Sequence, residues 1–143
     1  HSVDLTEAGV AKTLRLAEQR GVHVDAVIGD LAVFDLGVDC WDGVVSIFAH
    51  MPPHVRRDLH ARVVAALKPG GTFLLEAYTP DQVGRGTGGP SQPEMTMTLG
   101  GLGDELTGLE MVHAEELERV RALLTASTAP HMAEFLAAWQ KLT

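Results

Sequence analysis

Two nearly continuous apolar runs constrain the fold of this chain more than any other feature. Residues 43–48 read GVVSIF and residues 72–78 read TFLLEAY. Between them, Pro52 and Pro53 suit the first turn of a helix, where proline is tolerated, and residues 69–71 (PGG) end that helix. Its apolar stripe consists of Val55, Leu59, Val63 and Leu67. Apolar strands joined by a segment of crossover length are typical of a parallel sheet covered on both faces.

The N-terminal part shows the same alternation of strand and helix. The residues before Asp4 have the character of a strand end, and Thr6 can cap a helix that stops at Gly21. The apolar face of this helix is formed by Val10, Leu14 and Ala17. A short strand over residues 24–28 follows and ends at Gly29. The order of elements predicts an α/β fold with a mostly parallel sheet.

The pattern becomes less regular after Thr79. Residues 79–93 form a predicted long loop, which in a compact domain usually carries function. A weak helical segment and a late strand over residues 109–113 follow. Residues 130–143 are predicted to form an amphipathic C-terminal helix, whose apolar stripe is Met132, Phe135, Leu136 and Trp139. We expect this helix to pack on its own single domain, residues 1–143, or alternatively to form a homodimer or partner contact.

Charge and composition disfavour several classes of partner. The net charge of −8 disfavours non-specific binding to nucleic acid or to an anionic membrane, and the only basic cluster is interpreted as a solvated helix face. That cluster comprises Arg56, Arg57 and Arg62. No run approaches the roughly 18 apolar residues of a membrane span, and no secretory segment is expected. The single cysteine excludes an intrachain disulfide, which fits a cytoplasmic protein. The histidines show no metal-ligand spacing, so we predict no metal.

Candidate binding residues follow each predicted strand, at the edge where ligands of open parallel sheets bind. They are Asp4 and Leu5 after the first strand, Asp30 and Leu31 after the second, Ser46, Ile47, Phe48 and then His50 at the third, and Tyr78 at the fourth. A carboxylate such as Asp4 can accept two hydrogen bonds from a ribose diol, and the alternative is a helix cap. Asp30 can accept from an adenine amino group, with Leu31 on the ring edge, or can form a turn.

Four segments together are more specific than any single residue. VDLTEAGVAK, VIGDLAVFDL, WDGVVSIFAHMPP and LKPGGTFLLEAYTP resemble class I S-adenosylmethionine-dependent methyltransferases, in particular the small bacterial enzymes near the tellurite-resistance group. The resemblance covers residues 1–113 and implies a Rossmann-like, doubly wound sheet with S-adenosylmethionine as cofactor. It implies that Asp4, with Leu5, holds the cofactor ribose, that Asp30 and Leu31 read the adenine, and that residues 46–48 lie along the methionine part.

The same resemblance places His50 and Tyr78 at the rim, near a small-molecule acceptor. Methyl transfer from a sulfonium depends mainly on positioning the donor and the acceptor. His50 is the candidate base if the acceptor holds its proton at neutral pH. The alternative is a packed or capping histidine before the Pro52–Pro53 pair.

Both ends of the chain depart from the family pattern. The family's first strand and its glycine-rich turn, of G-x-G-x-G type, would precede His1, and its last strand usually forms a hairpin with the strand before it. We therefore expect a sheet incomplete at the N-terminus, a helical C-terminal tail, and a chain that is inactive by itself. Two alternatives stay open: a nicotinamide-dependent oxidoreductase of Rossmann type, and a noncatalytic fragment or partner-binding module.

Overall fold

The computed structural model describes residues 1–120 and 131–142 of the chain. The chain forms two compact units, His1–Asp35 and Leu36–Thr143, and each contains its own sheet. The organisation as one domain of 143 residues stays a prediction.

The first unit is a strand–helix–strand arrangement. Strand β1 (Ser2–Asp4) pairs in parallel with β2 (Ala26–Ile28), and α1 (Glu7–Arg20) connects them. The helix begins where the sequence predicted, because the Thr6 hydroxyl accepts a hydrogen bond from the Gly9 N–H at 3.0 Å. It ends at Gly21, whose φ of 64° is the left-handed conformation that glycine adopts without strain.

A close approach at Gly29 brings the ends of β1 and β2 together. The Gly29 N–H donates to the Asp4 carbonyl at 2.9 Å. A Cβ atom at Gly29 would lie 2.7 Å from the Phe34 ring and 2.9 Å from Val3 Cγ1, so only glycine fits this position. The residues that follow the two strands therefore lie at one edge of the sheet.

The second unit contains a four-stranded sheet with helices. Its elements are β3 (Trp41–Ile47), α2 (Pro53–Ala66), β4 (Leu67–Tyr78), α3 (Leu99–Glu105), β5 (Leu109–Val120) and β6 (His131–Lys141), with single-turn 3₁₀ helices at Pro80–Gln82 and Pro93–Met95. The strand order is β3-β4-β6-β5. β3 and β4 are parallel, as the apolar runs predicted, whereas β6 is antiparallel to both β4 and β5. The larger sheet is therefore mixed, and the prediction of a mostly parallel sheet is correct only for β1–β2 and β3–β4.

The core of the second unit lies on one face of β4. Phe73, Leu75 and Ala77 are at most 1% exposed, while the alternate residues of the strand are half-buried. α2 covers this face with Leu59 and Val63. Full burial of one such large side chain contributes about 1.5–3 kcal/mol. The expectation that both faces of the apolar strands are covered is wrong for β3, where Val45 is 63% exposed and Ile47 54%.

The predicted C-terminal helix over residues 130–143 is wrong, because His131–Lys141 form strand β6. Pro130, its predicted first residue, lies outside the described residues. β6 fills the gap between β4 and β5, with Trp139 opposite Phe73 and Leu136 opposite Glu76. Trp139 is 1% exposed, and its ring lies 6.2 Å from that of Phe73. The apolar residues of this segment have helical spacing, which favours a helix only weakly. Hydrogen-bonded pairing with β4 and β5 stabilises the strand more strongly.

The structure also bears on the predictions about a homodimer, a membrane span and a metal site. Because β6 replaces the predicted helix, a homodimer stays a prediction without that structural basis. Within residues 1–120 and 131–142, no helix is long and apolar enough to cross a membrane. The same part of the chain contains no group of three or more His, Cys, Asp or Glu side chains arranged to hold a metal ion.

Candidate functional site

Asp4, the last residue of β1, is held in a fixed orientation over the start of α1. Its Oδ1 atom accepts hydrogen bonds from the backbone N–H and the hydroxyl of Thr6, both at 2.8 Å. The hydrogen bond from the Thr6 N–H, followed by that from its hydroxyl, lowers the pKa of Asp4 below its usual value. The carboxylate is therefore ionised, and among the described residues no donor reaches its second oxygen, Oδ2.

Gly9 provides the space that the Asp4 carboxylate occupies. A Cβ atom at Gly9 would overlap Asp4 Cγ and both carboxylate oxygens. Any side chain at position 9 would displace the carboxylate from the first turn of α1. Gly9 was not among the residues predicted from the sequence, although a glycine in the first turn of an apolar-striped helix is a signal that a neighbour approaches closely.

Asp30 follows β2 and forms a turn of the same kind. Its Oδ1 atom accepts from the Ala32 N–H at 2.9 Å, and its carbonyl accepts from the N–H groups of Val33 and Phe34 at 3.0 and 2.8 Å. The structure thus places Asp4 and Asp30 at the carboxyl ends of adjacent parallel strands, each oriented by a local turn. The arrangement is compatible with both interpretations of these acids, as turn formers and as ligand-binding groups. The turn uses one carboxylate oxygen, Oδ1, and leaves Oδ2 to accept a hydrogen bond from a ligand. Leu5 is 69% exposed and Leu31 is partly buried.

In the second unit, the chain changes direction sharply where β3 ends. Ser46 and Ile47 are the last residues of the strand, and Phe48 follows with a φ of 52°. This left-handed conformation is uncommon for a bulky residue and is often found at functional sites. Hydrogen bonds hold it in place: the Phe48 N–H donates to the Glu76 carbonyl at 2.8 Å, and the Phe48 carbonyl accepts from the His50 N–H at 3.0 Å.

This turn brings Phe48 and His50 against Tyr78 at the end of β4, and we call these three residues the aromatic cluster. The Phe48 and Tyr78 ring centroids lie 4.6 Å apart, with 26° between the ring planes. The His50 and Tyr78 rings lie 5.3 Å apart and are parallel within 3°. All three residues are partly exposed. The structure therefore brings together the residues that were predicted at the ends of the third and fourth strands.

The hydrogen bonds of His50 define its tautomer. Nδ1 lies 2.9 Å from the Met95 carbonyl, which can only accept, and Nε2 lies 3.3 Å from the Tyr78 N–H, which can only donate. The ring therefore carries its proton on Nδ1 and is neutral. Burial lowers the pKa of His50 below 6.5, the hydrogen bond to Met95 raises it, and the charge of Arg56 lowers it, with a net lowering. The role of His50 as a base stays a prediction; it requires Nε2 to release the Tyr78 N–H.

A pocket of about 450 Å³ opens beside the aromatic cluster. It is lined by Phe48, His50, Tyr78, Gly89, Pro90 and Met95. Gly89 has a φ of 86°, and a Cβ atom there would lie 2.6 Å from Tyr78 Cδ2, so the loop backbone packs directly against the tyrosine ring. The long loop predicted over residues 79–93 thus supplies part of the wall.

Gln82 organises the interior of this loop. It is 1% exposed, and its side-chain amide donates to the Thr87 hydroxyl and to the Gly88 carbonyl. A buried amide with these partners fixes the path of the backbone that leads to Gly89. The loop was predicted from the sequence, but the residue that orders it was not, because a single glutamine carries no signal of burial.

A buried ionic network attaches the end of the loop to α2. The Arg56 guanidinium donates to both oxygens of Glu105, with the shortest bond at 2.7 Å, and to the carbonyls of Glu94 and Thr96. His60 Nδ1 donates to Glu105 Oε2 at 2.8 Å. The predicted solvated face is therefore wrong for Arg56, which is 8% exposed. Its partner Glu105 is 49 residues away in the sequence, so no local pattern indicated the pair.

Comparison with known proteins shows which solved structures share the fold of this chain. No protein-family model matches the chain, and no curated protein matches its sequence. Solved structures do match. TehB from Haemophilus influenzae has a TM-score of 0.73 and 16% identity over 98% of this chain. A SAM-dependent methyltransferase from Methanosarcina mazei has a TM-score of 0.69 and 16% identity over 99% of it.

A third match was solved with a ligand. The N-methyltransferase NodS from Bradyrhizobium japonicum WM9, in complex with S-adenosyl-L-homocysteine, has a TM-score of 0.70 and 14% identity over 98% of this chain. This chain spans 49% of the TehB chain, 65% of the NodS chain and 82% of the Methanosarcina chain. At these identities the matches establish the fold. The chain is similar in fold to these methyltransferases, which supports the Rossmann-like α/β fold that the sequence resemblance implied, whereas the larger sheet is mixed.

Proposed function

We propose that this chain is an S-adenosylmethionine-dependent methyltransferase domain that acts on a small molecule. The observation that carries the proposal is the match of nearly the whole chain to methyltransferase structures, one of them with S-adenosyl-L-homocysteine bound. A fold hosts many activities, so the residues at the strand ends must support the same conclusion.

The two acids of the first unit suit the nucleoside part of this cofactor. Asp4 is ionised, and Thr6 orients its carboxylate through Oδ1. Since no donor among the described residues reaches Oδ2, this oxygen is suited to accept a hydrogen bond from a ribose hydroxyl. Asp30 is oriented in the same way by Ala32. We assign the ribose to Asp4 with Leu5, and the adenine to Asp30 with Leu31.

In the second unit, residues 46–48 are assigned to the methionine part of the cofactor. Strand β3 ends at Ile47 and turns at Phe48, which has a positive φ, so the hydroxyl of Ser46 and the apolar side chains of Ile47 and Phe48 follow one another at the carboxyl end of the strand. When bound, the cofactor supplies a methyl group on a sulfonium, which is the electrophile of the reaction. The protein then has to orient the acceptor and exclude water.

His50 and Tyr78 are assigned to the acceptor side. As a neutral imidazole, His50 presents no charge to repel or attract the acceptor, and its two hydrogen bonds hold it parallel to Tyr78. For an acceptor that has to lose a proton, Nε2 is the only unprotonated ring nitrogen of His50, and it becomes available when the 3.3 Å bond from the Tyr78 N–H opens.

Isothermal titration of the chain with S-adenosylmethionine and S-adenosylhomocysteine tests the proposal. We expect saturable binding of both and no binding of NADH, which separates this function from a nicotinamide-dependent oxidoreductase. The absence of heat at millimolar ligand would overturn the proposal. That the chain does not transfer methyl groups by itself stays a prediction, and for this reason the readout is binding.

A matched pair of variants locates the site. Asp4→Asn keeps an oxygen acceptor for Thr6 but removes the charge, and we expect roughly tenfold weaker cofactor binding because charge-assisted hydrogen bonds are the stronger ones. Asp25→Asn is the control, because Asp25 precedes β2 and lies at the opposite end of the two-stranded sheet. Equal affinities of the two variants would show that Asp4 only orients the helix start.

A further inference from the structure

The three rings of the aromatic cluster share one orientation. The His50 and Tyr78 planes are parallel within 3°, and the Phe48 plane is inclined by 26° to each of them. A flat molecule that stacks on one of these rings is therefore nearly parallel to the other two. Offset stacking of aromatic rings is favourable beyond the burial of apolar area, whereas a puckered aliphatic ring cannot make the same contact.

The described lining of the pocket carries no charge while His50 is neutral. Its other members are two aromatic rings, a glycine, a proline and a methionine. The cation whose charge influences His50 is Arg56, and its guanidinium is already bound to Glu105 and two carbonyls. An ionised ligand would lose hydration in this pocket without gaining an ion pair from these lining residues, which is costly. The lining therefore favours an uncharged ligand.

Gly89 fixes the position of the central ring. Its backbone lies so close to Tyr78 that a Cβ atom would meet both Cδ2 and Cε2 of the ring, at 2.6 and 2.8 Å. The Tyr78 ring thus contacts the loop backbone as well as the two other rings. A wall fixed in this way is prepared for stacking before the ligand arrives, so little ordering cost is left to the binding step.

We propose that this pocket binds a planar, uncharged aromatic molecule, stacked against Phe48, His50 and Tyr78, as the methyl acceptor. The inference rests on the proposed function for the role of the ligand as acceptor. The pocket volume of about 450 Å³ lies within the range for small-molecule sites and is sufficient for a two-ring compound.

The single tyrosine of the chain gives a direct readout. Biosynthetic incorporation of 3-fluorotyrosine labels Tyr78 alone, so one ¹⁹F resonance reports on the pocket. We expect 2-naphthol to shift this resonance saturably. The saturated analogue decahydro-2-naphthol, of similar size and with the same hydroxyl, should bind at least about fivefold more weakly because it cannot stack. Naphthalene-2-sulfonate, which is planar but anionic, should also bind more weakly than 2-naphthol.

Two variants with a matched control test the placement of the ligand. Phe48→Leu keeps an apolar side chain at the left-handed position but removes a ring, and it should weaken 2-naphthol binding roughly fivefold. Gly89→Ala should displace Tyr78, changing its ¹⁹F shift without ligand and reducing binding. Gly84→Ala is the control, because Gly84 has the same φ of 86° but a Cβ atom there would meet no other atom within 4 Å, so this variant should bind 2-naphthol as the unmodified chain does.

The outcomes separate this inference from the proposed function. Binding of S-adenosylmethionine in calorimetry without a saturable response to 2-naphthol would overturn the acceptor class and leave the methyltransferase proposal standing. A saturable, ring-selective response to 2-naphthol without cofactor binding would support the aromatic site and overturn its role in methyl transfer. Equal affinities for 2-naphthol and its saturated analogue would overturn the inference.

Discussion

His50 Nε2 lies 3.3 Å from the backbone N–H of Tyr78, and the rings of the same two residues are parallel within 3°. The hydrogen bond and the ring contact together tie the residue after the β3 turn to the last residue of β4. Since Nδ1 donates to the Met95 carbonyl at 2.9 Å, the imidazole also connects these strand ends to the loop that completes the pocket. One neutral histidine thus joins three segments of the candidate acceptor site.

The first prediction concerns the tautomer of His50. Long-range ¹H–¹⁵N spectra should show a neutral ring protonated at Nδ1, with a pKa below 6.5, because burial disfavours its charged form. His50→Gln assigns the signals by their disappearance. An Nε2–H tautomer, or a pKa above 6.5, would contradict the hydrogen-bond assignment.

The second prediction is a loss of stability in mild acid. Burial lowers the pKa of both His50 and His60 below 6.5, so the unfolded chain binds their protons first. The free energy of unfolding should therefore be at its full value above pH 6.5 and decrease as the pH falls below it, through the two folded-state pKa values. Urea unfolding between pH 8 and pH 5 measures this, and His50→Gln should reduce the slope. Stability that increases over the same fall in pH would contradict it.

Glu105 extends the loss of stability to still lower pH. Its burial raises the pKa, but the hydrogen bonds and charge of Arg56, together with His60, lower it to below 4.5 overall. The stabilisation from this carboxylate is present above pH 4.5 and is lost as the pH falls through its lowered value.

The third prediction concerns the buried ionic network. Glu105→Ala leaves the Arg56 guanidinium without its carboxylate in a site where that side chain is 10% exposed, so it should reduce the free energy of unfolding by about 3 kcal/mol. Asp58→Ala is the matched control, because it removes the exposed Arg62–Asp58 pair and should cost about 0.5 kcal/mol or less. Equal losses in urea unfolding would show that burial of the network is not what stabilises the fold.

The fourth prediction uses two helix glycines that differ in their surroundings. Gly100→Ala in α3 meets no atom within 4 Å and should stabilise the protein by up to about 1 kcal/mol, since alanine is the better helix former. Gly9→Ala in α1 should instead destabilise it, because the new methyl group collides with the Asp4 carboxylate. Thermal unfolding of both variants measures the signs, and stabilisation by Gly9→Ala would contradict the described position of Asp4.

The fifth prediction tests strand β6. Trp139→Ala should cost about 3–5 kcal/mol, because it empties a site that is 1% exposed against Phe73. Met111→Ala is the comparison: Met111 lies opposite Trp139 in the register of β5 but is 42% exposed, so its truncation should cost only about 1 kcal/mol, well below the cost of Trp139→Ala. A Trp139→Ala variant of unchanged stability but altered mass in light scattering would favour a dimer contact instead.

Local patterns were sufficient to predict the first unit and the parallel strands of the second. The cap at Thr6 and the stop at Gly21 depend on neighbours within a few residues, and both are observed. The position of Asp4 and Asp30 at one edge of the sheet could be predicted because the carboxyl ends of parallel strands lie together by geometry alone.

The features that could not be predicted depend on contacts between distant residues. The spacing of apolar residues in β6 predicts a helix in isolation, and only pairing with β4 and β5 makes this segment a strand. The burial of Arg56 depends on Glu105, and the fit of Gly89 depends on Tyr78. With β6 in place, β5 and β6 form an antiparallel pair, so the expected departure of the C-terminal segment from the final strand pair usual in the family is not observed.

The position of β6 between β4 and β5 has a consequence for synthesis on the ribosome. When β4 is synthesised, one of its neighbours, β3, has already been made. Its other neighbour, β6, begins at His131, 53 residues after β4 ends at Tyr78. Until that strand emerges, the β4 edge and the apolar ring of Phe73 have no partner there, and β5 is separated from the sheet. Exposed strand edges of this kind bind chaperones or other chains. The arrival of the segment that carries Trp139 therefore marks completion of the sheet.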